Sequence, residues 1–193
     1  MKLRGLYAIS PESPDMLARA ERALQGGVAL LQYRSKRRDI GEAREVLRLA
    51  RHHGVPLIVN DDLELAVDIG ADGAHLGRDD GDLRTARRRL SSRILGASCY
   101  NDPALARAAI AAGADYVAFG SVYASPTKPN AVRAPLSLFA NDLPAAKCAI
   151  GGITLHNAPA LIEAGADLLA VLSDLFDAPD ITERARQYAR LFK

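Results

Sequence analysis

Apolar and polar positions along the chain alternate between two patterns. Short runs of consecutive apolar residues stand near 3–9, 26–32, 56–61, 70–77, 94–99, 113–120, 146–153 and 165–173. Between them lie stretches whose apolar residues recur three and four apart, near 15–25, 41–53, 63–69, 82–91, 103–112, 157–164 and 180–192. The first pattern predicts strands covered on both faces, and the second predicts amphipathic helices. The segment 136–142 is short and poorly patterned, and is the weakest of the expected helices.

Internal similarity gives this alternation a period. Gly70-Ala71-Asp72, Gly113-Ala114-Asp115 and Gly165-Ala166-Asp167 each follow an alanine-rich helical stretch and open an apolar run, and Gly26-Gly27-Val28 is a looser copy. Counted from Gly27, the steps are 43, 43 and 52 residues. Each glycine stands where a helix ends, a place that favours positive φ. Eight strands alternating with seven or eight helices imply parallel strands joined by right-handed crossovers, an α/β chain whose expected architecture is a single compact (β/α)8 TIM barrel over residues 1–193. A doubly wound open sheet is the other arrangement, but the first strand-to-helix turn lacks a dinucleotide glycine fingerprint. At 193 residues the chain is short against the roughly 250 typical of such barrels, so its units carry few insertions.

Composition narrows the classes of function. Hydrophobic residues make up 49% and charged residues 25%, a globular balance. The net charge of +2 is too small for a nucleic-acid binder, and the basic run 84–89 reads as the solvated face of an outer helix. No apolar run reaches the roughly 18 residues of a membrane span, and the N-terminus lacks a signal-peptide pattern. Cys99 and Cys148 stand 49 residues apart and read as reduced thiols of a cytoplasmic protein.

In a barrel of this kind the chemistry lies at the C-terminal ends of the strands. Strand two ends Gln32-Tyr33-Arg34-Ser35-Lys36, and strand alternation would put Gln32, Arg34 and Lys36 on one face, suited to an anion such as pyrophosphate. If the strand stops earlier, Arg34 and Lys36 are simply solvated. Asn60-Asp61-Asp62 and Gly77-Arg78-Asp79-Asp80 put carboxylates opposite that basic row, a pattern for a hard divalent cation such as Mg2+. Ordinary helix capping is the competing explanation for any one of these aspartates. Ser98 sits at the end of strand five. Ser125, Thr127 and Lys128 lie on a proline-stiffened loop after strand six, within the irregular segment 123–135. Gly151-Gly152 and Leu172-Ser173 follow strands seven and eight, the recurrent phosphate position of these barrels. His75 reads as a satisfied core residue, and Cys99 as packing rather than a nucleophile. The combination suggests that a diphosphate leaves, with catalysis by charge stabilisation and positioning.

Taken together, QYRSK at 32–36, ND at 60–61, GADGAHLGRDD at 70–80, GAS at 96–98, SPTK at 125–128, IGGIT at 150–154 and VLS at 171–173 resemble the thiamine-phosphate synthase family. The resemblance implies a transferase of thiamine biosynthesis that joins a hydroxymethylpyrimidine diphosphate to a thiazole phosphate and releases pyrophosphate. It further implies that Gln32, Arg34, Lys36, Asn60, Ser98 and Lys128 hold the pyrimidine diphosphate, with Arg34, Ser98 and Lys128 acting on the leaving group. Asp61 and Asp80 would bind Mg2+. Ser125, Thr127 and the backbone at Gly152, Leu172 and Ser173 would hold the thiazole phosphate. The chain departs from the family pattern at Asp62, where arginine is usual, at Arg78, where glutamine is usual, and at Ser121 and Ser125. A thiazole tautomerase on the same barrel, or a barrel that only binds a thiazole phosphate, are the alternatives.

Overall fold

A computed structural model of the chain describes residues 3–124 and 132–193. Eight strands, β1 (Gly5–Ile9), β2 (Leu30–Tyr33), β3 (Leu57–Asn60), β4 (Gly73–Leu76), β5 (Ile94–Tyr100), β6 (Tyr116–Gly120), β7 (Ala146–Ile150) and β8 (Leu168–Val171), close into a barrel in sequence order. All neighbours are parallel, and β8 returns to β1 through Gly5 opposite Leu168 and Tyr7 opposite Ala170. The open-sheet alternative is thereby excluded. Helices α1 (Met16–Gln25), α2 (Ile40–His52), α3 (Leu63–Ile69), α4 (Leu83–Leu90), α5 (Pro103–Ala111), α6 (Ala158–Glu163), α7 (Ser173–Phe176) and α8 (Ile181–Arg190) complete the alternation. No helix among the described residues is long and apolar enough to cross a membrane.

The continuous apolar runs serve two cores at once. Leu6, Ala8, Leu31, Val59, Val117 and Leu169 face the helices, whereas Tyr7, Ile9, Leu30, Ile58, Tyr116 and Leu168 fill the barrel. Period-two alternation within each strand produces this division.

Two expectations change. The segment 136–142 is a 3-10 turn, Leu136–Ala140, rather than an α-helix. Side chains take its carbonyls before another helical turn can: Lys147 Nζ bonds Phe139 O at 2.6 Å, and Asn141 Nδ2 bonds Leu138 O at 2.9 Å. Strand seven stops at Ile150, because Gly151 and Gly152 leave the extended region at φ 100° and 65°.

The repeated Gly-Ala-Asp has a definite purpose at the N-terminal end of the barrel. Carboxylates of Asp72, Asp115 and Asp167 accept from the backbone N–H of Leu57, Leu95 and Lys147 at 2.9, 2.8 and 3.0 Å. The carbonyls of the same aspartates accept from Ile94, Ala146 and Gly5. Each aspartate thus ties the starts of the strands on either side of its own, which satisfies amides the ladder leaves over. Because one clamp serves two neighbouring strands, it recurs every second βα unit.

Candidate active site

At the opposite end, the strand termini carry the polar residues. Gln32 points into the barrel and is 4% exposed, with Nε2 donating to Tyr7 Oη at 2.7 Å. Tyr33 is the last residue of β2, so pleat alternation ends there and does not by itself align Arg34 and Lys36 with Gln32. Arg34 is half-buried, held by its backbone N–H on Ser10 Oγ at 3.0 Å. Lys36 is exposed, its N–H bonded to Glu12 Oε1 at 2.7 Å and its Nζ 3.7 Å from Glu12 Oε2. The shared face expected of the three residues is therefore corrected. Gln32 is an interior residue, and the two cations belong to the loop above it.

The three aspartates of the carboxylate cluster separate by role. Asp62 caps α3, accepting from Leu65 N at 2.7 Å, and pairs with Arg38 Nε at 3.1 Å. Four more helices start the same way on Asp39, Asp82, Asp102 and Asp180. Each such cap stabilises by about 1 kcal/mol. Asp61, by contrast, caps no helix among the described residues. It adopts φ 62°, a left-handed conformation that asparagine and aspartate tolerate better than most residues. Its backbone N–H bonds His75 O at 2.8 Å, and its Oδ2 accepts from Asn60 Nδ2 at 2.6 Å. Asp80 is half-buried, with Oδ2 accepting from Gly77 N at 2.7 Å.

Asp61 and Asp80 face one another. Loss of hydration, followed by the hydrogen bond and negative charge of Asp80, pushes Asp61 up to about 6, against the pull of Asn60 and Arg34. Two facing carboxylates repel one another, and a divalent cation between them relieves that repulsion. No group of three His, Cys, Asp or Glu side chains at metal-binding spacing occurs among the described residues. Two carboxylates alone suit a cation that completes its shell with phosphate oxygens and water.

Ser98 is half-buried on β5, just before the irregular pairing with β6 between Ser98 and Tyr100. Its Oγ lies 2.8 Å from His75 Nε2, and His75 Nδ1 lies 3.0 Å from Tyr116 Oη. Tyr116 Oη is in turn 2.8 Å from Tyr7 Oη. Both ring nitrogens of His75 are engaged, as expected of a satisfied core histidine, and burial pushes it down to about 4. Tyr7 and Tyr116 were not among the residues singled out from sequence. The available signal was a tyrosine at an inward strand position facing a glycine: a Cβ on Gly96 would lie 2.0 Å from Tyr116 Cζ. Cys99 is buried, which pushes its thiol up to about 12, in keeping with a packing role.

After strand seven, Gly152 sits against the loop that follows β6. A Cβ there would stand 2.3 Å from Ala124 O, and its φ of 65° is also unfavourable to a side chain. The glycine pair is thus already required by packing against residues 121–124. Leu172 is half-buried and Ser173 exposed, at the first turn of α7. Ser125, Thr127 and Lys128, and most of the segment 123–135, lie outside the described residues. Arg78 stacks over the Tyr100 ring at 5.1 Å. Two of the four arginines of α4 pair with carboxylates, Arg89 with Glu64 and Arg87 with Asp115, both at 2.7 Å.

Comparison with known proteins identifies the family. The family model described as thiamine monophosphate synthase matches residues 6–175. A thiamine-phosphate synthase of Aromatoleum aromaticum is 59% identical over 204 aligned residues, covering 99% of this chain and 97% of the relative. One from Chromobacterium violaceum is 54% identical, with 99% and 97% covered. Among solved structures, the thiamine phosphate pyrophosphorylase of Pyrococcus furiosus superposes with a TM-score of 0.87 at 26% identity, covering 99% of this chain and 96% of that one. The chain belongs to the thiamine monophosphate synthase family and is a transferase of thiamine biosynthesis.

Proposed function

We propose that the protein condenses 4-amino-2-methyl-5-(diphosphooxymethyl)pyrimidine with a thiazole phosphate or its carboxylated form, giving thiamine phosphate and pyrophosphate, and CO2 as well from the carboxylated form, in a Mg2+-dependent reaction. The observation that carries this reading is the pair of Asp61 and Asp80, with Arg34 acting on Asp61, at the rim of β2 to β5. Asp61 and Asp80 would hold the Mg2+, and the ion when bound neutralises charge on the diphosphate oxygens.

The chain's own residues then have separable tasks. Gln32 and Asn60 orient the pyrimidine end, and Lys36 and Arg34 flank the diphosphate. Ser98 and Lys128 donate to it as the carbon–oxygen bond breaks and negative charge accumulates on the departing pyrophosphate. Departure ahead of attack leaves a pyrimidinyl-methyl cation, which the thiazole nitrogen captures. Catalysis of this kind needs no general base, in keeping with His75 being neutral and fully bonded. Ser125, Thr127, Gly152, Leu172 and Ser173 would receive the thiazole phosphate, which fixes the nitrogen against the reacting carbon.

Purified protein supplied with both substrates and Mg2+ should release thiamine phosphate and pyrophosphate in equal amounts. Isomerisation of a carboxythiazole phosphate without condensation would instead favour a tautomerase. Binding with neither reaction would leave a phosphate-binding barrel.

A further inference from the structure

Four hydrogen bonds cross the barrel interior in one line. They run from Gln32 Nε2 to Tyr7 Oη (2.7 Å), to Tyr116 Oη (2.8 Å), to His75 Nδ1 (3.0 Å), and from His75 Nε2 to Ser98 Oγ (2.8 Å). Five strands contribute one residue each. Tyr7 and Tyr116 are at most 1% exposed, and the Tyr116 ring stacks on the imidazole with centroids 5.5 Å apart.

Proton counting restricts this line severely. Each phenol has one proton, and so does a neutral imidazole. Among the described residues, each of the three has two partners, so each must donate to one and accept from the other. Only two polarities satisfy every member. In one, protons point from Gln32 toward Ser98; in the other, all are reversed. The Gln32 amide presents Nε2 to Tyr7, which selects the first. Tyr7 then donates to Tyr116, and Tyr116 donates to His75 Nδ1. His75 carries its proton on Nε2 and donates to Ser98. The Ser98 hydroxyl, its acceptor side occupied, has its own proton free to give, and Gln32 keeps Oε1 as an acceptor.

We propose that Tyr7, Tyr116 and His75 are positioning residues forming a one-way hydrogen-bond chain, which makes Ser98 a donor and Gln32 an acceptor toward the substrate. The inference rests on the reading that Ser98 meets the diphosphate. An oxyanion only accepts, so the reversed chain would set serine lone pairs against it. The same polarity leaves Gln32 Oε1 open to an N–H donor from the ligand, which the amino group of an aminopyrimidine supplies. The two ends are thereby coupled: an anion at Ser98 enforces an acceptor at Gln32, although neither residue touches the other.

The test is the tautomer of His75, read by long-range proton–nitrogen correlation on histidine-labelled protein and assigned by the resonance absent from His75→Gln. The expected result is a protonated Nε2 and a bare Nδ1 at neutral pH, with and without Mg2+ and inorganic pyrophosphate. A proton on Nδ1, or on both nitrogens, overturns the proposal. Tyr116→Phe, which preserves ring volume, should abolish the tautomer preference. It should also raise KM for the pyrimidine diphosphate about tenfold, the ratio expected for one lost hydrogen bond, and leave KM for the thiazole phosphate unchanged. An equal rise in both constants would reduce Tyr116 to packing and overturn its positioning role. The tautomer is read without turnover, so absence of condensation would count against the proposed reaction and not against the chain's polarity.

Discussion

Asn60 Nδ2 holds Asp61 Oδ2 at 2.6 Å, fixing a carboxylate that faces Asp80 on backbone of positive φ. This arrangement opposes stability in the metal-free protein. Asp61 lies at about 6 when folded, above its ordinary value, so between those limits the folded state binds the extra proton. Metal-free stability should therefore fall as pH rises toward 6. Asp61→Asn removes that loss and keeps a residue suited to φ 62°. We expect the variant to melt higher than the parent above pH 6 without metal, and to lose the stabilisation that Mg2+ confers on the parent. Parallel melting curves with and without Mg2+ check both.

Asp62 is one of the positions at which the sequence departs from the expected family pattern, and its carboxylate has structural partners. It caps α3 and meets Arg38, which also reaches Asp68 at 2.9 Å. Asp62→Ala should lower unfolding stability by about 1 kcal/mol, the value of a lost cap, and leave kcat within twofold. Urea denaturation alongside steady-state kinetics measures the two effects. A large fall in kcat would put Asp62 in the site after all.

The barrel and its polar rim were legible in sequence because each rests on a strong local signal. Continuous apolar runs such as 94–99 have one reading when helical stretches flank them, and Gly70 adopts the expected left-handed helix end at φ 69°. Gln32 and Ser98 stand near the ends of β2 and β5, and Asp61 and Asp80 in the turns after β3 and β4, where chain order places them. What stayed hidden depends on contacts distant in sequence. The bond between Tyr7 and Tyr116 spans 109 residues, and no periodicity marks it. The roles of Asp61 and Asp62 differ although the residues are adjacent, because only backbone geometry turns one carboxylate to the helix start and the other to Asp80. Alternation along β2 misled beyond Tyr33, since the ladder stops one residue short of Arg34.

The Gly-Ala-Asp repeat predicts a stability effect remote from the chemistry. Asp167→Ala leaves the N–H of Lys147 without its carboxylate partner. The expected cost is about 1–3 kcal/mol, with kcat and both KM values unchanged, because the clamp lies at the opposite end of the strands. Chemical denaturation with a parallel activity assay distinguishes this from a role in the site.

Lys128→Ala separates the two substrates. If the lysine serves the leaving diphosphate, affinity for the pyrimidine diphosphate should drop at least tenfold while thiazole phosphate affinity holds. Equal losses, measured by titration of each substrate alone, would move the lysine to the thiazole side.

The most direct test of a metal-and-diphosphate rim is calorimetric titration of inorganic pyrophosphate into the protein, with and without Mg2+. Binding should strengthen at least tenfold with Mg2+, and Asp61→Asn should abolish that gain while retaining weak Mg2+-independent binding through Arg34 and Lys36. Pyrophosphate affinity indifferent to Mg2+, or an Mg2+ gain that survives in Asp61→Asn, would contradict the assignment.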